Sequence, residues 1–343
     1  MAKRKRQHTV QKRYLEQWKL RGKFFVYDLK NQEIHPSEPK SIFRENHIYN
    51  WDDFGDEGKF FIDEIITDIE NAAFPIIAKV TNSPINMEER YSLSLYIALQ
   101  MLRTPKMKGQ LHELTLALSK NMLIDQLKDP AKREELLKAM PKENQKIIKQ
   151  LSTDPETKVD ELFSKKLIIK IKNIREIWLQ TSLELLKDLT NTNFHATWYL
   201  LQAGKKTSFI TSDNPVVTIS CINNSKNPTN KDIHFTEVTF PLSPKFMLLI
   251  KRKGGEQINR MYRKTFSESQ ESVRELNCRT AMFADRFIVS HSDKLLLKIA
   301  KLAYADWKEI RHDKKVFDLR SKGFIPTRDK PKNKSIRLFD RFL

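Results

Sequence analysis

The chain has 343 residues, with 62 Lys/Arg against 43 Asp/Glu for a formal charge of +19, 39% hydrophobic residues and 31% charged ones. That balance describes a globular protein with a heavily charged surface, long enough for one large domain or two, and no apolar run approaches the roughly 18 residues that span a bilayer. Two cysteines, Cys221 and Cys278, exclude a disulfide framework of the secreted type, and no apolar segment follows the basic start as in a secretory signal, so a cytoplasmic location is expected.

In chain order, His8 to Leu20 carries Val10, Tyr14, Leu15 and Trp18 at near-helical spacing. Phe24 to Tyr27 reads as a strand closed by a polar turn at Asn31-Gln32, Ile34 to Phe43 as extended chain, and His47 to Trp51 as another short strand. From Glu57 the period changes: Phe61, Ile65, Ile69, Ala72 and Ile76 recur at steps of three and four, as on an amphipathic helix. Asn86 is placed to cap a second helix with Glu88 and Glu89 in its first turn, where the dipole favours them, and Pro105 marks its break. A further helix covers residues 107–127, short helices form an exposed excursion over 128–156, and a long helix covers 158–189.

The remainder alternates differently. Residues 196–201, 208–211, 216–219, 235–240 and 246–250 are short apolar or alternating runs bounded by turn residues, hence strands. Within them, the apolar stretch Phe209 to Val217 is interrupted at Ser212-Asp213-Asn214-Pro215, where Pro lacks an N–H and Asp and Asn bond their own backbone. A helix over 267–284, a strand over 286–290 and a closing helix over 293–311 complete the reading. The fold class is α+β: a small β-rich N-terminal element (8–56), a helical middle region (57–190), then an antiparallel sheet with flanking helices (194–311). These form a single domain of residues 1–311, followed by a basic C-terminal tail at 312–343.

Charge is unevenly placed. Residues 1–23 hold nine Lys/Arg against one Glu and residues 313–343 hold ten against four Asp, so the two ends supply 14 of the 19 net charges. Basic arms of this kind neutralise phosphates and release counterions, which makes nucleic acid the expected partner. Scattered lysine on solvated faces is the plainer explanation of a basic composition, although it does not require charge at both ends. Only eight glycines are present, and neither a Walker A run nor a GxGxxG follows any strand. There is no GxSxG, HExxH or paired CxxC.

Four segments form a pattern in order along the chain. His8-Thr9-Val10-Gln11 precedes Tyr14-Leu15 and Trp18; Ala98 to Pro105 reads ALQMLRTP; Thr211 to Pro215 reads TSDNP; and Pro241 to Pro244 reads PLSP. Together they resemble the bacterial DUF4238 family, although Gln11 follows Val10 directly where the family usually has a proline. The resemblance implies a shared fold and carries no catalytic role with it.

The polar positions of these segments, with two glutamates on the first long helix, are the candidate site residues. His8, Glu70, Arg103 and Asp213 form the catalytic set, supported by Gln11, Glu64, Gln100 and Asn214. Gln100 and Arg103, three apart, share a helix face, whereas Glu64 and Glu70, six apart, do not. His8, Glu70 and Asp213 as ligands of a divalent metal, with Arg103 on a phosphate, would suit a metal-dependent nuclease in a defence or mobile-element setting. The competing reading is a non-catalytic interaction or regulatory module. In it Arg103 and Glu70 are a buried ion pair, Gln100 bonds the N-terminal backbone, and Asp213 and Asn214 shape a turn.

Overall fold

A computed structural model describes residues 6–20, 22–46, 49, 61–164, 174–223, 233–253, 261–265 and 270–312. The chain divides into two compact units, one of residues Met107–Thr181 and one of Met1–Lys106 with Ser182–Leu343. Its elements are β1 (Arg6–His8), α1 (Lys12–Glu16), β2 (Phe24–Asp28), β3 (Glu33–Ser37), β4 (Arg44–Asn46), α2 (Phe61–Val80), α3 (Met87–Leu102) and α4 (Pro105–Lys128). Then follow α5 (Pro130–Ala139), α6 (Lys142–Leu151), α7 (Pro155–Ser164) and α8 (Ile174–Phe194). The rest are β5 (Thr197–Gln202), β6 (Thr211–Ser212), β7 (Val217–Asn223), β8 (Ile233–Pro241), β9 (Phe246–Lys253), β10 (Met261–Thr265), α9 (Gln270–Phe283), β11 (Phe287–Ser290) and α10 (Asp293–His312). The architecture is the expected α+β one. Among the described residues no helix is long and apolar enough to cross a membrane.

The smaller unit is helical and closes on Leu127, Ile148, Leu151 and Val159, with Leu123, Leu136 and Phe163 around them. Its short helices arise where the sequence is punctuated. Asp129 caps α5 by accepting from the Ala131 N–H at 2.9 Å, and Pro130 sits at the first helical position, where a missing N–H costs nothing. The single helix expected over 158–189 is described as α7, ending at Ser164, and α8, starting at Ile174; residues 165–173 lie outside the described residues.

In the larger unit Asn86 caps α3 as its sequence implies. Its Oδ1 accepts from the Glu89 N–H at 2.8 Å, and Glu89 Oε2 accepts from the Asn86 N–H at 2.8 Å, a complete capping box. A five-stranded sheet runs β10-β5-β9-β8-β7, antiparallel except for the parallel β10–β5 edge, and β10 has no counterpart in the sequence reading. A four-stranded sheet runs β3-β2-β11-β6, so the N-terminal hairpin, which ends at Ser37, is completed by strands that begin at Thr211 and Phe287. Its two faces feed two cores, as the period of two requires. Val26 and Val289 enter the main core, while Phe25, Tyr27 and Ile288 pack with Leu296 and Ile299 of α10.

Two local expectations are corrected. The helix expected over His8 to Leu20 contracts to the five residues of α1, because His8 is drawn into β1 opposite Arg44 of β4. The strand expected at residues 208–211 contracts to β6, because the Phe209 and Ile210 N–H groups go to Pro244 O and Asn277 Oδ1 at 2.8 and 2.9 Å. The strand expected at His47 to Trp51 lies outside the described residues, apart from Tyr49.

Candidate functional site

The segment Thr9–Gln11 lies over the α2–α3 helix pair and is held there by three side chains. Arg103, the residue after the last turn of α3, donates from Nε to the Thr9 carbonyl at 2.9 Å and from Nη1 to Glu70 Oε1 at 2.5 Å. Gln100 Nε2 donates to the same Thr9 carbonyl at 3.3 Å. Glu70, on the buried face of α2, takes its second bond from Gln11 Nε2 at Oε2. Gln11 stands at the start of α1 without capping it, so its side chain is spent on this tie.

The ion pair is shut away, with the Arg103 side chain 2% exposed and that of Glu70 10%. Burial raises the Glu70 pKa, and Arg103 and Gln11 offset only part of that. Burial also opposes the Arg103 charge, but Glu70, Tyr49 and Tyr96 beside it outweigh the loss and hold the guanidinium protonated. His8 borders this cluster. Burial, followed by the nearby Arg44, Arg103 and Lys12, lowers its pKa to about 4, so the imidazole is neutral at ordinary pH. Its Nδ1 is buried without a hydrogen-bond partner among the described residues.

Asp213 and Asn214 belong to a second network. Asp213 Oδ1 accepts from the Asp285 N–H at 2.8 Å, and Oδ2 accepts from the Arg286 and Phe287 N–H groups at 2.7 and 2.8 Å. Three backbone donors favour the carboxylate, yet burial outweighs them and lifts its pKa to about 6. Asn214 Nδ2 and Lys106 Nζ both donate to the Phe283 carbonyl, at 2.9 and 2.8 Å. The network therefore grips the corner between α9 and β11 from outside.

The structure thus brings Gln11, Glu70, Gln100 and Arg103 into one hydrogen-bonded cluster, with His8 at its margin, and places Asp213 and Asn214 in another. A chain of contacts runs between them: the Thr9 N–H bonds the Phe43 carbonyl at 2.9 Å, and the Phe43 ring lies 6.0 Å from that of Phe287. Glu64 is exposed on α2 and joins neither. Among the described residues, no three His, Cys, Asp or Glu side chains are grouped to hold a metal ion, so His8, Glu70 and Asp213 are not arranged as one ligand set.

Sequence reasoning placed Gln100 on the N-terminal backbone, as its bond to the Thr9 carbonyl bears out, but it missed Lys106, the buried Tyr96 and Arg90. The last was legible: residues 90, 93, 94 and 97 form one buried row of α3, so Arg90 occupies an apolar-face position.

All four motif segments meet. Besides the ties to Thr9, the buried Tyr14 hydroxyl shares a 2.6 Å hydrogen bond with Thr211 Oγ1 and donates to the Pro241 carbonyl at 2.7 Å. The Phe209 N–H, beside TSDNP, bonds Pro244 of PLSP. A family model described as "Protein of unknown function (DUF4238)" matches residues 6–294, a span containing every one of these contacts. No curated protein and no solved structure matches the chain.

Proposed function

This chain belongs to the DUF4238 family, and on that premise we propose that it is a nucleic-acid-associated protein whose motif residues are structural ties. The observation that carries this reading is the occupancy of the two candidate carboxylates. Both oxygens of Glu70 and both of Asp213 already accept from protein donors. The net excess of positive charge is concentrated at residues 1–23 and 313–343. Polyanion binding through such arms is electrostatic and sequence-tolerant.

The test is binding of the full chain to generic duplex and single-stranded oligonucleotides across a salt series. Affinity should fall linearly on a log–log plot, and removing residues 313–343 should make the slope shallower by several units. A flat salt response, or no binding at low salt, overturns the proposal.

A metal-dependent nuclease at the same residues is the second reading. What favours it is His8, a neutral imidazole with an unpartnered Nδ1 lone pair or proton. For Glu70 or Asp213 to join it on an ion, that carboxylate would have to leave its present donors. Cleavage that appears with Mg²⁺ or Mn²⁺ and vanishes in His8→Ala and Asp213→Asn proteins that are still folded at the assay temperature would establish it over the binding-only reading.

A further inference from the structure

Where α8 ends, the larger unit buries two guanidinium groups with no carboxylate on either among the described residues. Arg90 is 4% exposed; its Nε donates to the Phe194 carbonyl at 2.9 Å and its Nη2 to the Ala196 carbonyl at 2.5 Å. The flat of that guanidinium lies 4.4 Å from the Trp198 ring centre. Arg252, near the end of β9, donates from Nη2 to Asn193 Oδ1 at 2.5 Å. Trp198 Nε1 donates to the Asn193 carbonyl at 2.8 Å, so both arginines converge on the turn Asn193–Ala196. Burial alone pulls each arginine down to about 10, with no acidic neighbour acting against it.

The unmet hydrogen-bonding capacity of Arg252 and Asn193 has one sign. Among the described residues Arg252 Nε is buried without an acceptor, and so is Nδ2 of Asn193, a residue with no exposed surface. The amide cannot be turned to hide this, because its oxygen faces the Arg252 guanidinium. The Nδ1 of His195, on the same turn, is also buried without a partner among the described residues, and as a ring nitrogen it can present either a lone pair or a proton. Around Arg103 the unmatched atoms include acceptors, Gln11 Oε1 and Gln100 Oε1, as well as donors, a mixture that water satisfies. Two guanidinium charges are opposed at the α8 terminus only by roughly half a charge of helix dipole. A donor-only, positively charged corner calls for a ligand that is acceptor-only and negative.

We propose that Arg252 and Asn193, backed by Arg90, form a binding site for a phosphate-type oxyanion at the C-terminal end of α8. Arg252 Nε and Asn193 Nδ2 supply the hydrogen bonds, and the two guanidinium groups supply the charge. Entry is from the surface beside β9, where Arg252, Phe194 and His195 are half-buried and Thr192 is exposed. The site owes nothing to the basic ends of the chain, so it stands or falls separately from their role.

The test is thermal unfolding and calorimetric titration of the full chain with inorganic phosphate, ionic strength held constant with chloride. The unfolding midpoint should rise with the logarithm of phosphate concentration above the Kd, by several degrees once phosphate exceeds it about a hundredfold. Arg252→Gln should weaken phosphate at least roughly tenfold. Asn193→Asp, which gives Arg252 a resident carboxylate, should raise the midpoint in phosphate-free buffer and abolish the response to phosphate. An unmoved wild-type midpoint overturns the site, as does an Arg252→Gln protein that responds like wild type. Should Arg252→Gln fail to fold, a phosphate response surviving in Asn193→Asp overturns it instead. A single-stranded oligonucleotide that displaces phosphate identifies the occupant as a polymer phosphate; phosphate held against it identifies a free one.

Discussion

The Glu70–Arg103 cluster and the Asp213 corner each bury a carboxylate, but they neutralise it differently. Glu70 meets a guanidinium carried on a different helix, 33 residues away in sequence, and that guanidinium also binds the Thr9 carbonyl of a third segment. Asp213 meets three consecutive backbone N–H groups, Asp285 to Phe287, which point together because the chain turns there. In the first case the side chains bring distant segments together and each partner depends on the other's charge. In the second the backbone supplies fixed dipoles that persist whatever occupies position 213. Charge against charge therefore makes a tie that fails badly when one partner goes, whereas charge against backbone fails by the bonds lost.

The largest expected effect follows from the first half of that contrast. Arg103→Met should cost about 3–5 kcal/mol in urea unfolding, because it strands Glu70 in the interior and frees the Thr9 carbonyl. Adding Glu70→Gln should recover part of the loss, since the uncompensated charge is then removed. A double-mutant cycle with no coupling between the two positions would contradict the ion-pair account.

Asp213→Asn should cost less, about 2–3 kcal/mol, as charge-assisted bonds to three N–H groups give way to neutral ones and the new NH₂ meets donors. Its damage should concentrate on the α9–β11 corner, seen as faster amide exchange at Arg286 and Phe287 than at Tyr96.

The smallest effect is on the shape of the pH–stability curve, where His8 and Asp213 act with opposite signs. The folded His8 pKa, about 4, lies below its ordinary 6.5, so its contribution is full above pH 6.5 and is lost as pH falls toward 4. The folded Asp213 pKa, about 6, lies above its ordinary 3.8, so its contribution is full below pH 3.8 and is lost as pH rises toward 6. His8→Gln should flatten stability against acid between pH 6.5 and 4. Asp213→Asn should steepen it over pH 4 to 6. Identical pH profiles in wild type and His8→Gln would show that the imidazole is not held neutral by the fold.

Much of the framework was legible from local chemistry. The Asn86 cap, the existence of α2, the break at Pro105 and most strands of the second half follow from spacing and turn residues, but the buried face of α2 is Ile62, Ile66, Glu70, Ala73 and Ile77, one residue on from the expected Phe61, Ile65, Ile69 and Ala72. Gln100 and Arg103 share a face because three residues separate them, and both reach Thr9. Less legible was anything settled by partners far along the chain. Nothing near His8 announces that Arg44 will pair with it as a strand, and nothing near Phe209 announces that its N–H belongs to Pro244.

By itself the sequence determined the alternation of helices and strands, the concentration of charge at the two ends and the four motif segments, because period, capping and composition are properties of neighbouring residues. Only the tertiary structure decided what the polar residues in those segments do. A carboxylate in a sequence is equally a ligand, a base or a tie, and the choice depends on which donors the fold delivers to its oxygens. For Glu70 those donors are Arg103 and Gln11, and for Asp213 they are the backbone of residues 285–287.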